Sequence, residues 1–253
     1  ASEIRNENNN FWIGFKMGDY NESIFLARVA EQADRFKDMY KHLKEAIKMK
    51  NDDLNSEERN LLSVGFKNLI GSNRTALRNI SAIAQNPKYT HFSEALERYK
   101  KRIQNELYDQ CLDITNTIEE HIIPNCGDKE ESKAFFYKMI ADYYRYIAES
   151  AQEEKLQEVS DKALENYNKA LEYANSLESY SPIKLGLALN FSVFYFEVRD
   201  NKEEACKLAE KALNEANENL DDAKEEEYRD AKGIIDLLSE NLELWKEEDN
   251  NDD

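Results

Sequence analysis

Glycine and proline are scarce, seven and three among 253 residues, so sharp turns must be few and regular elements long. The three cysteines, Cys111, Cys126 and Cys206, are an odd number at wide spacings. No CxxC pair or Cys/His ligand pattern accompanies them, which points to reduced structural thiols rather than a disulfide framework or a zinc site. No apolar run nears the roughly 20 residues that a bilayer-spanning helix needs. The first residues also lack the basic-then-apolar order of a secretory signal, so a cytoplasmic or nuclear protein is expected. Positive charge is short as well. Lys and Arg number 34 against 52 Asp and Glu, and the resulting net charge of −18 opposes association with nucleic acid or an anionic membrane. Only His42, His91 and His121 represent histidine, and no G-x-S-x-G, P-loop or H-E-x-x-H pattern occurs, so neither an enzyme, a metal site nor a cofactor is expected.

What is present is helical periodicity. Hydrophobic residues make up 41% of the chain, enough for a sizeable core, and from about Ser23 they recur at helical spacing between short polar breaks. Asn55-Ser56-Glu57-Glu58 is a helix start, a capping side chain followed by first-turn acids, and opens a segment running to about Gln85, closed by Asn86-Pro87. A second long helix is expected from about Phe92 to Ile122, ending at Pro124 and Gly127. Five more follow at Glu131 to Glu149, Glu154 to Ala174, Pro182 to Val198, Lys202 to Asn217 and Glu225 to Glu247. With two shorter helices before Lys50, the expected fold is all-α, nine helices, consecutive ones antiparallel. Residues 1–22, with the apolar knot Phe11-Trp12-Ile13-Gly14-Phe15, read as a flexible extension, residues 23–247 as a single helical domain, and residues 248–253 as an acidic tail. Ala163-Leu164 with Ala170-Leu171, and Ala205 with Ala212-Leu213, resemble tetratricopeptide hairpins. Their offset of 42 residues is not the 34 of that repeat and no third copy follows, which leaves a helical-repeat scaffold binding unmodified peptides as the alternative architecture.

The chemistry-bearing signal is basic. Lys67, Arg74 and Arg78 fall within roughly 40° of one another around one helix, a pattern that also suits a solvated face. A second stripe, Lys138, Asp142 and Arg145, lies in Phe135-Phe136-Tyr137-Lys138-Met139-Ile140-Ala141-Asp142-Tyr143-Tyr144-Arg145-Tyr146. So many apolar and aromatic residues surround it that its charges must lie inside or at a cleft. Asp142, at i+4 from Lys138 and i−3 from Arg145, can orient both but cannot neutralise every base. Spare guanidinium groups beside a tyrosine hydroxyl suit a phosphomonoester. At least two of Tyr143, Tyr144 and Tyr146 are expected in the core. On a third helix Asn190, Val193 and Glu197 share a face, and on the last Ile234, Leu237, Asn241 and Leu244 do the same. The two asparagines are either readers of an extended peptide backbone or interhelical polar bonds.

These segments resemble the 14-3-3 family in order from about Ile24 to Trp245. The most specific are Ser56-Glu57-Glu58-Arg59-Asn60-Leu61-Leu62-Ser63-Val64 with Lys67-Asn68, Asp142-Tyr143-Tyr144-Arg145-Tyr146, and Leu185-Gly186-Leu187-Ala188-Leu189-Asn190-Phe191-Ser192-Val193-Phe194-Tyr195. The resemblance implies a cup-shaped dimer with one amphipathic groove per subunit, binding phosphoserine or phosphothreonine segments of client proteins. It implies a phosphate pocket of Lys67, Arg74, Arg145 and Tyr146, with Arg78 close by and Lys138 lining the groove. Asn190 and Asn241 would hold the peptide backbone. Leu189, Val193, Leu237, Leu244 and Trp245 would form or support the apolar wall, with Glu197 nearby.

Dimerisation is implied in the same way. The family's interface pairs are matched by Arg35 with Glu106 and Asp38 with Arg102, plus Tyr99, and Val29, Ala30 and Ala33 are expected to supply most of the interface energy. Three positions depart from the family pattern. Leu77 stands where Trp is usual, Ala76 where many members carry a phosphorylatable Ser, and Gly233 where a groove Leu is expected.

Overall fold

The computed structural model describes residues 19–251. The apolar knot at 11–15 lies outside them. Among the described residues there are nine α-helices and no strand: α1 (Tyr20–Gln32), α2 (Phe36–Met49), α3 (Ser56–Ala84), α4 (Ser93–His121), α5 (Glu130–Ala148), α6 (Glu153–Ala174), α7 (Pro182–Glu197), α8 (Lys202–Asn219) and α9 (Glu225–Asn251). Short 3₁₀ turns at Pro87–Phe92, Ile123–Cys126 and Leu220–Asp222 take up the corners. None of the helices is long and apolar enough to cross a membrane. The described residues fall into two compact units, 19–51 with 56–69 and 52–55 with 70–251, and α3 runs through both.

The helix ends follow local chemistry. α1 starts at Tyr20, three residues inside the stretch expected to be an extension, because the Asp19 carboxylate accepts the Glu22 backbone N–H at 2.8 Å and caps the first turn. Asn201 caps α8 the same way, accepting from the Glu204 N–H at 3.0 Å. Pro182 occupies the first turn of α7, where its missing N–H costs nothing. Gly127 turns the chain between α4 and α5 with φ at 55°, a left-handed conformation that favours glycine. At the other end, the α9 backbone stays helical to Asn251, past the point where an acidic tail was expected.

In the first unit α1 packs on α2, and the buried Ala27, Met39, Leu43 and Phe66 form its core. Gly65 of α3 permits the close approach of α2: a Cβ there would lie 2.6 Å from Leu43 Cδ1. Arg28 Nη2 pairs with Glu57 Oε1 at 2.7 Å, and Lys50 Nζ with Glu58 Oε1 at 3.0 Å. In the second unit α5 packs on α4, α6 and α7, and α7 on α8 and α9. The Tyr167 ring of α6 stacks on Phe191 of α7 with centroids 4.8 Å apart, both fully buried. Ala205, Ala209 and Ala216 give α8 a small-residue face that packs into a cluster with Leu185, Leu238 and Trp245. These two cores bring α5, α6, α7 and α9 together, and those helices carry the groups described next.

Candidate functional site

The α5 circumference is almost wholly buried, as its aromatic content implies, and so its polar residues must find partners inside the second unit. Asp142 is only 7% exposed and is the meeting point. Its carboxylate accepts from Lys138 Nζ at 2.9 Å, from the Tyr167 hydroxyl at 2.7 Å, and from Asn190 Nδ2 at 3.0 and 2.9 Å. Three helices thus converge on one side chain. Arg145, equally buried, donates through Nε to the Tyr167 hydroxyl at 3.2 Å and lies 3.9 Å from Asp142 by its ion pair. Lys138 reaches Asp142 along α5, four residues away, and its stem passes beside Gly186 of α7, where an added Cβ would sit 3.7 Å from Lys138 Cε.

Protonation states follow from these contacts. Burial works against charge on Asp142, but Lys138, Arg145 and the hydrogen bonds from Lys138 and Tyr167 outweigh it and hold the carboxyl below the usual range. Burial likewise disfavours charge on Arg145, while Tyr167 and Asp142 favour it, so the guanidinium stays a cation. Burial raises Tyr146 and Tyr167, which keep their protons. The Cys111 thiol is pushed by burial up to about 12, which removes it as a nucleophile, and none of the three cysteines is in a disulfide.

At the outer end of α5 two guanidinium groups close on one carboxylate. Arg74 of α3 donates to Glu149 through Nη2 at 2.8 and 2.9 Å and through Nε at 3.2 Å; Arg145 donates to the same Glu149 through Nη1 at 3.1 Å. Both guanidiniums lie over the Tyr146 ring, at 3.8 Å for Arg74 and 4.6 Å for Arg145. Counting Lys138 and Asp142, three cations meet two carboxylates, and the spare positive charge suits an anion with forked acceptors. Of the residues singled out from sequence, Arg74, Arg145 and Tyr146 are therefore together. Arg78 is exposed one turn beyond Arg74, and Lys67 belongs to the first unit, exposed on α3. Tyr143 and Tyr144 are core, as expected of two of the three tyrosines. Glu149 and Tyr167 were missed. Glu149 stands four residues after Arg145, an ordinary helical pairing, and only the approach of α3 reveals its second partner.

The neighbouring wall is apolar. Leu189 and Val193 of α7 are half-buried against the α7–α9 cluster, while Leu237 and Leu244 of α9 are 49% and 60% exposed, far more than isolated core residues would be. Asn241 is half-buried on the same helix, and Glu197 is exposed at the end of α7. One Asn190 amide N–H is shared between the two Asp142 oxygens, so its second N–H and its carbonyl oxygen are what it can offer a ligand. Trp245 does not line this wall: it is buried and stacks on Phe196 with centroids 4.9 Å apart, supporting the wall from behind. A Cβ at Gly233 would meet nothing within 4 Å, so the wall is open there.

The residues matched to dimerisation lie on α1, α2 and α4 and, for Ala33 and Arg35, in the turn between α1 and α2. Within the single chain Arg35 pairs with Asp38 at 2.8 Å and Arg102 with Glu106 at 3.5 Å, each along its own stretch of chain. Val29 is 47% exposed and Tyr99 is exposed, and Ala33 is exposed too, whereas Ala30 is buried within its own unit and has little surface left to contribute. Phe25, one turn before Val29, is 63% exposed and was not read from the sequence, although the i, i+4 spacing carries the signal.

Asp142 also sets a stability expectation. Asp142→Asn leaves Lys138 without its carboxylate and Arg145 with Glu149 alone, and thermal or denaturant unfolding should show a loss of about 3–5 kcal/mol. Because the folded carboxyl is depressed, the wild-type advantage is complete above the ordinary carboxylate range near pH 4 and is lost as pH falls through the lower folded value. A stability difference between the two proteins that does not change between pH 7 and pH 2 would contradict this.

With the geometry established, similarity to known proteins becomes informative. The family model described as 14-3-3 protein matches residues 26–246. The checkpoint signal transducer rad25 of Schizosaccharomyces pombe is 44% identical over 203 residues, covering 79% of this chain and 74% of the relative. The 14-3-3 protein 2 of Entamoeba histolytica is 41% identical over 209 residues, covering 81% and 87%. The 14-3-3 protein eta of Homo sapiens is 41% identical over 210 residues, covering 81% and 85%. The matched span takes in every helix that carries the Asp142 hub, the paired guanidiniums and the apolar wall, and the chain belongs to the 14-3-3 family.

Proposed function

We propose that this chain is a phosphoserine/phosphothreonine-dependent adaptor, capturing phosphorylated segments of client proteins on Arg74, Arg145 and Tyr146. Membership of a family of non-enzymatic adaptors sets the class of activity, and relatives bear names such as checkpoint signal transducer. The observation that carries the finer reading is the Glu149 carboxylate shared by Arg74 and Arg145 over the face of Tyr146. A phosphate with about −1.5 to −2 charge and three acceptor oxygens satisfies both guanidiniums better than one carboxylate does. Glu149 must then give way. Lys67 is put forward as a further phosphate ligand on the family resemblance and its place two turns before Arg74 on α3. Arg78, Lys138, Leu189, Asn190, Val193, Glu197, Leu237, Asn241 and Leu244 are proposed to contact the rest of the segment, with Trp245 holding the wall. A scaffold for unmodified peptides has no use for two convergent guanidiniums, which is why phosphate dependence is preferred over it.

The dimer is part of the same proposal. Phe25, Val29, Ala33 and Tyr99 supply exposed apolar area, and on association Arg35 and Asp38 exchange their present partners for Glu106 and Arg102 of a second copy. Exchange of one surface ion pair for another contributes little, so the apolar contacts carry the affinity.

Two measurements test these readings. In fluorescence polarisation a phosphoserine peptide should bind and its unphosphorylated twin should not; Arg74→Glu should abolish binding, whereas Glu149→Gln should tighten it by about two- to five-fold through loss of the competing carboxylate. Equal affinity for the two peptides would sink the adaptor reading, and weaker binding by the Gln variant would mean that Glu149 is no competitor. For the dimer, sedimentation at micromolar concentration should give a species of twice the 29.6 kDa chain mass. A monomer alone would remove that part of the proposal.

A further inference from the structure

The second unit holds another basic cleft beside the paired guanidiniums. Between the second half of α3, α4 and the end of α5, Arg78, Leu77, Lys100 and Gln152 line a hollow of about 430 Å³ that opens onto Arg74, Tyr146 and Glu149. Past Lys100 and Gln152 it continues into a second hollow of about 610 Å³ edged by Lys101, Arg98 and Lys155, with Glu97 its one acid. Leu77 and Leu107 are buried at its floor, so its walls are partly of low dielectric, which concentrates the field of charges placed on it.

Its charge balance runs against the rest of the molecule. Acids outnumber bases 52 to 34 in the chain, and neighbouring cations are partnered: Arg98 with Glu94 at 3.7 Å, Arg102 with Glu106 at 3.5 Å, Lys155 with Glu158 at 3.1 Å. Among the described residues the side chains of Arg78, Lys100 and Lys101 form neither an ion pair nor a hydrogen bond. The only acid on the first hollow, Glu149, is already held by Arg74 and Arg145. Three unpaired cations around one concavity repel one another, and an incoming anion relieves that repulsion.

We propose that this cleft takes a second phosphate of the same client segment, on Arg78 and Lys100 with Lys101 adding to the field, so that doubly phosphorylated segments are bound in preference to singly phosphorylated ones. The proposal rests on the phosphate-site reading above. Reach is adequate: Arg78 lies four residues from Arg74, about 6 Å along α3, and an extended peptide advances roughly 3.3 Å per residue, so a second phosphate about two to four residues from the first arrives at the cleft. Dimerisation leaves it accessible, because Lys100 and Gln104 lie about 100° and 140° around α4 from Tyr99. The apolar wall on α7 and α9 draws one flank of the bound segment away, leaving the other flank for the cleft.

The test uses the full chain and a peptide series with one phosphoserine, or with a second one placed two, three or four residues before or after it. On one side of the first phosphate, double phosphorylation should tighten binding by about ten-fold, beyond the roughly two-fold statistical gain of offering two phosphates to one site. In the Lys100→Gln/Lys101→Gln protein the singly phosphorylated peptide should bind as in wild type, while the gain shrinks to that statistical level. No gain at any spacing, or a gain that survives the double substitution, overturns the second site while leaving the first intact. If the singly phosphorylated peptide itself binds no better than its unmodified twin, the phosphate-site reading fails and the second site fails with it.

Discussion

The proposed binding face is assembled on one buried carboxylate. An ionised Asp inside a helical unit costs several kcal/mol unless its oxygens are fully engaged, and Asp142 meets that demand by drawing Lys138 from its own helix, Tyr167 from α6 and Asn190 from α7. Those contacts fix more than Asp142. Tyr167, donating a hydrogen bond to Asp142 while keeping its proton, presents its oxygen to Arg145 Nε, so the guanidinium is already oriented before any ligand arrives. Side-chain entropy that a free arginine would lose on binding is lost during folding instead, which leaves more of the contact energy for the ligand.

The rest of the site is a consequence of that anchoring. A fixed Arg145 and an approaching Arg74 form a two-pronged cation over Tyr146, and Glu149 occupies it. Asp142 and Glu149 together leave one of the three charges of Lys138, Arg145 and Arg74 unbalanced. Around them the chain carries a net −18, which repels diffuse anions at long range. In the proposed adaptor an anion that succeeds must displace Glu149, which already makes several charge-assisted bonds there, and a phosphate dianion brings the extra charge and the third acceptor oxygen that a carboxylate lacks. Under the proposed function the acidity of the protein and the basicity of the site act together as a filter.

Much of this was legible in the sequence, and the parts that were not have a common cause. Lys138, Asp142 and Arg145 stand at helical spacing inside a run of aromatics, so their burial and mutual contact follow from periodicity alone. The helices were legible for the same reason, with Pro182 and Gly127 marking boundaries where the chain does turn. Tyr167 was not: on α6 it looks like any core aromatic, and its hydroxyl gains meaning only from the register of α6 against α5. Glu149 was missed because its second partner comes from a residue 75 positions away. The α1 start escaped because Asp19 looks like part of a polar leader until its carboxylate is seen on the Glu22 N–H. For Trp245 the resemblance left open whether it forms or supports the wall, and the packing of α9 on α7 turns its ring inward onto Phe196. Contacts within one helix are written in spacing; contacts between helices depend on packing that spacing does not encode.

The central claim is that one phosphate replaces Glu149 on two guanidinium groups. The Nε–H resonances of Arg74 and Arg145, followed by NMR during titration with a phosphoserine peptide, address it most directly. Both signals should move together, saturate at one peptide per chain and stay still when the unphosphorylated peptide is added. A phosphopeptide that binds while both signals remain where they were would contradict it.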